Sequence, residues 1–324
     1  MKILITGVAG FIGANLAERL IREGHEVVGI DNLAYGLRTN VPEGVDFHQR
    51  DIRGKVMYPL FAGMDAVFHF AAKNCIADCQ ADPVETADIN VHGSVNVFEA
   101  ARKANVEKVI YAESSALYEG SNVFPTPESD VKPESFYAVS KLASMYFAEA
   151  YHRFNTLSTV HEPSAMSQNP MSFTALRYFC VYGPVQDYRR TIPPVMSAFI
   201  IKLLRGEAPT IYGSGEKRRD FVYVDDINDF HIQCLTDRRT DNRVFNLGSG
   251  VNYSVNDIYE MVGHLLDIHI DPVRKPDLPG EAQTTLADIT AAGSLGWKPK
   301  TDIQAGLQHA IAYIKSEIAK GNVG

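Results

Sequence analysis

The hydrophobic residues in the first two-thirds of the chain form short runs rich in Val, Ile and Phe, separated by stretches with a helical period. The short runs lack the alternation of a strand with one wet face, so they predict strands buried on both sides. Six such runs occur in the order KILIT, EVVGI, VDFHQ, DAVFHF, EKVIYAE and TALRYFC. Helical stretches such as FIGANLAERLIREG lie between most of them. This alternation predicts an α/β fold with a doubly wound parallel sheet.

The regular alternation fades after about Gly183, where Pro, Gly and charged residues become frequent. This change predicts a Rossmann-type domain over residues 1–180 and a smaller C-terminal α/β domain made mainly of residues 181–324. The later runs DFVYVDDI and RVFNLG also resemble strands. We therefore expect part of the segment 221–250 to return to the first domain.

The composition narrows the class of protein that these domains form. The chain has 324 residues, 45% of them hydrophobic, and its net charge of −8 excludes a dedicated nucleic-acid binder with a basic face. The cysteines stand at 75, 79, 180 and 234, a spacing that matches no metal knuckle, so we expect no metal site. No apolar run is long enough to cross a bilayer. MKILITG enters the first strand directly, so we expect no signal peptide and a cytoplasmic location.

The first predicted strand runs directly into GVAGFIG, which places Gly7, Gly10 and Gly13 at the start of a helix. Glycines at this spacing let the backbone approach a pyrophosphate, whose charge then lies at the helix N-terminus. The second strand ends at Asp31, and an acid about twenty residues after the glycines suits the hydroxyls of an adenosine ribose. A carboxylate at this position repels a 2′-phosphate. The pattern therefore favours NAD over NADP as the cofactor.

In SFYAVSKLASMYF, Tyr137 and Lys141 lie one helical turn apart, a spacing that by itself describes many ordinary helix neighbours. Their significance depends on the motifs around them, which follow in the order GVAGFIG, HFAA, Asn90, ESSALY, YAVSK, RYFCVYGP and RRDFVYVDD. With these motifs in register over nearly the whole chain, the sequence resembles the extended short-chain dehydrogenase/reductase superfamily. Within that superfamily it is similar to the NAD-dependent nucleotide-sugar epimerase/dehydratase family.

The resemblance implies a catalytic role for three residues. Tyr137 corresponds to the general acid/base of the family, and Lys141 corresponds to the lysine that binds the nicotinamide ribose and lowers the tyrosine pKa. The physical chemistry agrees, since free tyrosine titrates near ~10 and a neighbouring cation favours the phenolate. The hydroxyl that completes the set is Ser114, with Ser115 as the adjacent candidate.

The resemblance also implies which residues bind NAD and the substrate. Besides the glycines, Asp31, Tyr137 and Lys141, the expected NAD contacts are Phe11, Ile12, Asn32, Asp51, Ile52, Phe70, Ala71, Ala72 and Asn90. The expected substrate contacts are Ser115, Tyr178, Cys180 and Arg219. Of these, Arg219 resembles the family arginine that binds the diphosphate, for which a guanidinium is well suited.

Two positions depart from the family pattern. Cys180 stands where asparagine is frequent, and the arginine that usually precedes the late Pro-Gly-acid motif is missing before DLPGE. The candidates to replace that arginine are Arg189, Arg190, Arg274 and Lys275.

The residues after Ser114 distinguish between members of the family. Related 4,6-dehydratases have an Asp-Glu pair there, which removes the C5 proton and expels water, whereas this chain has Ser115 and Ala116. We therefore expect redox chemistry at one carbon, as in a UDP-hexose 4-epimerase that works through a transient 4-keto sugar. The alternatives are a nucleotide-sugar 4-ketoreductase, a C2 or C3/C5 epimerase on the same scaffold, or an NAD-sensing protein without turnover.

Two helices predict a homodimer. The helix over residues 137–154 carries more apolar surface than one buried stripe requires, and similar proteins pair it with a helix near 91–103 about a two-fold axis. The apolar side chains of that second helix are Val91, Val95, Val97, Phe98 and Ala101.

The segment 155–172 is longer than the usual link between this helix and the next strand. A link that leads from a helix into a strand lies at the amino edge of a parallel sheet, opposite the ligand edge. We therefore expect a surface insertion with no catalytic part.

Overall fold

The computed structural model describes residues 1–157, 171–189, 193–277 and 282–323. The chain forms two compact units. Unit 1 consists of Met1–Ser121, Val131–Tyr178 and Asn228–Phe245. Unit 2 consists of Asn122–Asp130, Phe179–Ile227 and Asn246–Gly324. The predicted insertion at 155–172 lies almost wholly outside the described residues, and the predicted cofactor and substrate roles of the two domains stay predictions.

The strands are numbered in chain order. They are β1 (Lys2–Thr6), β2 (Glu26–Asp31), β3 (Asp46–Gln49), β4 (Ala66–His69), β5 (Lys108–Ser114), β6 (Ser172–Tyr178), β7 (Cys180–Tyr182), β8 (Thr210–Tyr212), β9 (Arg218–Tyr223), β10 (Arg243–Leu247), β11 (Asn252–Ser254) and β12 (Val273–Lys275).

The helices are numbered in the same way. They are α1 (Phe11–Arg22), α2 (Ile76–Ala81), α3 (Pro83–Ala87), α4 (Gly93–Lys103), α5 (Phe136–Leu157), α6 (Val195–Leu204), α7 (Val224–Thr236), α8 (Val255–Leu266), α9 (Thr290–Gly293) and α10 (Ile303–Ala319). Short 3₁₀ helices occupy Arg38–Asn40, Lys55–Phe61, Ser115–Tyr118 and Arg238–Thr240, and a π-turn at Asp88–His92 leads into α4. Within the described ranges, no helix has both the length and the apolar composition that crossing a membrane requires.

The seven-stranded sheet confirms the predicted α/β fold class. Its strand order is β10-β6-β5-β4-β1-β2-β3, and the pairs among β1 to β6 are parallel. The central strands are buried on both faces, as in β1, where Ile3, Leu4 and Ile5 are inaccessible to solvent. A parallel sheet covered by helices explains why these strands read as continuous apolar runs.

The run TALRYFC does not form one strand, which corrects the prediction that Cys180 ends it. The strand β6 stops at Tyr178, because the Val181 amide donates to the Phe179 carbonyl at 2.8 Å and closes a tight turn. Cys180 instead begins β7, which pairs with β9 in a three-stranded sheet of order β11-β9-β7. Of the two later runs that resembled strands, β10 lies in the seven-stranded sheet and β9 lies in this smaller one.

Helix α4 packs one apolar face into the core of unit 1. The Phe98 ring makes edge contacts with Tyr111 and Phe173, at centroid distances of 5.6 and 5.2 Å. Val97 and Ala101, like Phe98, have no exposed surface. Burial of a large apolar side chain contributes about 2–3 kcal/mol, so these side chains stabilise the subunit itself. Because they are buried within the subunit, a partner subunit cannot contact them.

Candidate active site

The turn between β1 and α1 brings backbone close to backbone. Gly7 has a left-handed φ of 76°, and a Cβ there would lie 2.7 Å from the Ala71 nitrogen at the end of β4. A Cβ at Gly13 would lie 2.3 Å from the Gly7 carbonyl oxygen, inside van der Waals contact. Gly10 is the N-cap of α1, so no cap side chain covers the first helical amides. The turn therefore presents N–H groups at the positive end of a helix dipole, which fits a pyrophosphate.

Asp31 ends β2 beside this turn, and two backbone amides hold its carboxylate. Oδ2 accepts from the Ala9 amide at 3.0 Å, and Oδ1 accepts from the Leu33 amide at 2.8 Å. Each oxygen keeps a further lone pair, which suits two neighbouring ribose hydroxyls. Burial raises the pKa of Asp31, and the two amide hydrogen bonds oppose that rise. The donor and acceptor set fits the adenosine half of a dinucleotide. Phe11 and Ile12, also predicted contacts, open α1 next to it.

The carboxylate of Asp51 is bound mainly by Arg53. Arg53 donates to it from Nε at 2.9 Å and from Nη2 at 2.7 Å, and Asn32 Nδ2 donates at 3.0 Å. The Arg53 hydrogen bonds hold the pKa of Asp51 far below its usual range. Ile52 lies in the hydrophobic core. The NAD contacts predicted for Asn32, Asp51 and Ile52 stay predictions, and the geometry shows a structural role for each side chain.

Asn90 connects the residues after β4 to helix α5. Its Oδ1 accepts from the Lys73 amide at 2.8 Å, and its Nδ2 donates to the Lys73 carbonyl and to Ser140 Oγ, both at 2.9 Å. Asn90 has no exposed surface, and its amide is satisfied within the chain. Its predicted NAD contact stays a prediction. Residues 70–72, in contrast, are half-buried beside the glycine turn, where the backbone approach to Gly7 occurs.

Ser114, Tyr137 and Lys141 come from two elements of unit 1. Ser114 ends β5, and its Oγ accepts from the Ala116 amide at 3.1 Å, which caps the helix Ser115–Tyr118. Tyr137 lies in the first turn of α5, and Lys141 follows one turn later on the same face. They are 9% and 3% exposed, respectively. The predicted proton-transfer residues therefore lie in largely water-excluded surroundings.

Glu119 fixes the start of α5 against the turn that follows Ser114. Its two oxygens accept from the Ser135 amide at 2.7 Å and from the Ser135 hydroxyl at 2.8 Å. Ser135 Oγ in turn accepts from the Ala138 amide at 3.1 Å, which satisfies the first turn of α5. Our sequence reasoning missed Glu119, because a glutamate 16 residues from its partner carries no local signal.

Lys141 occupies a desolvated position in which its charge still persists. Burial lowers the pKa of the amine to about 8, and the nearby carboxylate of Glu113 opposes that shift. The amine is therefore mostly protonated at neutral pH. A cation one turn from Tyr137 favours the phenolate, since an opposite charge stabilises the ionised form. This pair is suited to accept and return a proton near neutral pH.

Unit 2 contains a cavity of about 700 Å³ with a cationic and aromatic lining. None of its described lining residues is acidic. The cationic residues among them are Arg189, Lys202, Arg205, Lys217 and Arg219, and the aromatic ones are Tyr182, Tyr188, Phe199, Tyr212 and Phe221. Part of the charge is compensated, since Lys217 pairs with Asp277 at 2.5 Å. Aromatic faces and guanidinium groups together suit a ligand with a flat ring and phosphate charges.

The other predicted substrate residues divide between this cavity and the interior of unit 1. Cys180 and Arg219 line the cavity. The Tyr178 hydroxyl is hydrogen-bonded to His231 Nε2 at 2.7 Å within unit 1, and both side chains are buried. Ser115, beside Ser114, is half-buried. The geometry favours a packing role for Tyr178, whose substrate contact stays a prediction.

The candidates to replace the arginine that is missing before DLPGE differ in whether they line this cavity. Arg189 lines the cavity, whereas Arg274 donates to the Ser214 carbonyl at 2.6 Å and lies outside the lining. Arg190 falls outside the described residues. Arg189 is therefore the candidate that the geometry favours.

Comparison with known proteins identifies what this arrangement resembles. The family model described as NAD dependent epimerase/dehydratase family matches residues 3–248. A UDP-glucuronate 4-epimerase of Thermodesulfobacterium geofontis is 32% identical over 97% of this chain and 96% of its own length.

Two solved structures extend the comparison. The UDP-glucose 4-epimerase of Thermotoga maritima is 32% identical, with a TM-score of 0.90 over 98% of this chain and 100% of that one. The UDP-N-acetylglucosamine 4-epimerase of Methanobrevibacter ruminantium is 30% identical, with a TM-score of 0.88 over 98% of both chains. These relatives are about equally similar to the chain and differ in the sugar that their names state.

Because the Gly7 carbonyl oxygen lies so close to Gly13, we expect a single methyl group added at Gly13 to disturb the glycine turn. In the Gly13→Ala variant, the new Cβ would displace the Gly7 carbonyl and the turn above it. An overpacked contact of this kind costs about 1–3 kcal/mol. We expect copurified NAD to fall by about tenfold or more, measured by releasing it from denatured protein.

The matched control for this variant is Gly293→Ala. Gly293 lies in α9, and a Cβ there would meet no atom within 4 Å. This control should keep the NAD content and the stability of the unmodified protein. A Gly13→Ala variant with both properties unchanged would contradict the steric account.

Proposed function

Because the chain belongs to the NAD dependent epimerase/dehydratase family, we propose that it is a nucleotide-sugar 4-epimerase acting on a UDP-linked hexose. The observation that carries this proposal is the set Ser114, Tyr137 and Lys141, beside which the described part of the chain has no second acid/base pair. The supporting comparisons are the 4-epimerases that match nearly the whole chain.

The cofactor of this reaction is NAD, for which unit 1 supplies a fitting set of groups. The glycine turn would hold the pyrophosphate, Asp31 would accept from the adenosine ribose, and Lys141 would donate to the nicotinamide ribose. When bound, NAD takes up a hydride from the sugar carbon and returns it. Because the redox change is reversed in each cycle, the protein needs no external oxidant.

The proton is the part of the reaction that the chain's own residues handle. Tyr137 accepts the proton of the C4 hydroxyl as that carbon is oxidised to the ketone. Lys141 stabilises the phenolate of Tyr137, whose reference pKa is about 10, by its nearby positive charge. Ser114 donates a hydrogen bond to the same sugar oxygen and orients it. After the sugar presents its other face, Tyr137 returns the proton to the C4 oxygen as that carbon is reduced again, which gives the C4 epimer.

The residues around Ser114 argue against an elimination reaction, which would need a free carboxylate as the base. Ser115 and Ala116 occupy the places where related dehydratases have their acid pair. The acids on either side are engaged elsewhere, Glu113 with Arg177 at 2.7 Å and Glu119 with Ser135 at 2.7 Å. A base for the C5 proton is therefore missing from the described residues of this turn. A 4-ketoreductase or another nucleotide-sugar epimerase remains the alternative function on the same residues.

The cavity of unit 2 supports a nucleoside diphosphate as the invariant part of the substrate. Arg219 and Arg189 would bind the diphosphate, and the aromatic residues would pack against the base. Cys180 stands where asparagine is frequent in the family. The smaller thiol would leave more room for the sugar and would supply one hydrogen bond fewer, since a thiol is a weak donor and acceptor. We also propose a cytoplasmic location, a compartment in which thiols such as these four stay reduced.

The test of the proposed function is a panel of UDP-hexoses, UDP-N-acetylhexosamines and UDP-uronates incubated without added NAD. We expect interconversion of one C4 pair, resolved by NMR. Tyr137→Phe should lower turnover by about 10²- to 10⁴-fold with NAD retained. Tyr146→Phe, on the same helix and 58% exposed, should leave turnover unchanged. Turnover that requires stoichiometric NADPH would support the reductase instead, and loss of water from the sugar would support a dehydratase.

We also propose a homodimer that pairs α5 with its symmetry mate and with the helix near 91–103. The supporting observation is the apolar exposure of α5, where Tyr146, Phe147 and Phe154 are 58%, 42% and 67% exposed. On the other helix only Val91 and Val95 of the predicted apolar set are left partly exposed.

Light scattering at micromolar concentration should give twice the chain mass for this protein. Phe154→Ser should weaken association, whereas Val251→Ser, also exposed at 51% but in unit 2 rather than on these helices, should not. A monomer for the unmodified protein would contradict the dimer.

A further inference from the structure

An ion pair between Glu113 and Arg177 lies fully buried in unit 1. The two residues are partners in the parallel pairing of β5 with β6, and Arg177 Nε donates to Glu113 Oε2 at 2.7 Å. Their side chains are 0% and 2% exposed, respectively. A buried ion pair is often no more stabilising than apolar residues of the same size. Stability alone is therefore a weak explanation for the presence of this ion pair. The residues that the pair contacts indicate a further role.

The pair contacts both elements that carry the proton-transfer residues. Arg177 Nη1 donates to the Tyr118 hydroxyl at 2.9 Å, and Tyr118 ends the short helix that Ser114 caps. Arg177 Nη2 lies 3.4 Å from the sulfur of Met145, which follows Lys141 by one turn of α5. The second carboxylate oxygen, Oε1, accepts from the Tyr111 hydroxyl at 3.2 Å. Glu113 thereby fixes a guanidinium that joins the Ser114 turn to the Lys141 helix.

Glu113 also contributes the negative charge in the surroundings of Lys141. The titratable groups on other elements that act electrostatically with Lys141 are Glu113 on β5, Cys79 on α2 and His69 on β4. The counterion of Glu113 is Arg177 on β6. Burial lowers the pKa of His69 to about 3 and raises the pKa of Cys79, so both are neutral at pH 7. Of these neighbours outside α5, only Glu113 carries a charge that can offset the desolvation of the amine.

We propose that Glu113 is a positioning residue for this reaction: paired with Arg177, it holds the Ser114 turn against α5, the helix that carries Tyr137 and Lys141. The proposal rests on the proposed function only for the role of Lys141 in turnover. The contacts of Glu113 and Arg177 with both elements stand on the geometry of unit 1 alone. The effect of the Glu113 charge on the Lys141 pKa is what makes this role measurable.

The sign of the effect follows from the charges. Glu113 opposes the burial that lowers the Lys141 pKa, so its removal should lower that pKa further, by about one pH unit or more. The ammonium group of Lys141 would then lose its proton at a lower pH. Turnover should consequently begin to fall at a lower pH on the alkaline side, because a neutral Lys141 no longer stabilises the Tyr137 phenolate.

The variant to make is Glu113→Gln, which keeps the shape of the side chain and one acceptor for Arg177. The direct measurement is an NMR titration of ¹³Cε-labelled lysine in the NAD-containing protein, with the Lys141 signal assigned by Lys141→Arg. We expect its midpoint to move from about 8 to lower pH, and the alkaline limb of kcat to move by the same amount. Glu113→Asp, which restores the charge, should recover part of both shifts.

The control for a merely structural role is Ile110→Val in the same strand. Ile110 is buried in β5, so this variant loosens the core without changing a charge. It should leave the Lys141 midpoint and the pH profile unchanged. If Glu113→Gln does not fold, Arg177→Met leaves the Glu113 carboxylate without its counterion and should raise the Lys141 midpoint instead.

The outcomes separate this proposal from the proposed function. A folded Glu113→Gln or Arg177→Met variant whose Lys141 midpoint equals that of the unmodified protein overturns the role of Glu113, even if epimerisation is observed. A protein that epimerises no sugar in the panel refutes the proposed function, and a shifted Lys141 midpoint in that case still supports the charge relation.

Discussion

The parallel pairing of β1 to β5 is the constraint on which the rest of unit 1 depends. Parallel strands bring all their carboxyl ends to one edge of the sheet. Gly7 follows β1, Asp31 ends β2, Ala71 lies past the end of β4 and Ser114 ends β5. The glycine turn that we propose for the dinucleotide and the hydroxyl of Ser114 are thus placed along one edge by backbone hydrogen bonds. The packing contact between Gly7 and Ala71 shows how closely this edge is assembled.

The proton-transfer site needs charge in a place that water cannot reach. A buried ammonium such as that of Lys141 loses solvation and tends to become neutral. A buried guanidinium adds to this difficulty unless an anion accompanies it. The strand β5 supplies both that anion, at Glu113, and the adjacent hydroxyl of Ser114. One strand therefore carries the serine and the carboxylate to which we assign roles at neighbouring positions, and Arg177 of β6 links that carboxylate to Tyr118 in the turn after Ser114.

Local patterns in the sequence predicted the parts of the structure that depend on local backbone geometry. The apolar runs marked the strands, and GVAGFIG marked a turn that only glycine accommodates. The prediction that every run is buried on both sides was wrong for β3, which lies at the edge of the sheet with Asp46 and Gln49 exposed. The break after Tyr178 escaped prediction, because the apolar run continues while a tight turn passes the chain to another sheet. The roles of Glu113 and Arg177 escaped as well, since residues 64 positions apart become partners only through strand register.

The central claim is that the chain oxidises and reduces one sugar carbon and removes no proton from carbon. The measurement that tests this most directly is turnover in heavy water, followed by NMR or mass analysis of the epimerised sugar. The proton that Tyr137 accepts and returns is bound to oxygen and exchanges with solvent, whereas the hydride moves out and back without meeting solvent. The account predicts a product with no deuterium on any carbon. Deuterium at C5, C3 or C2 of the product would contradict it and would show proton abstraction from carbon.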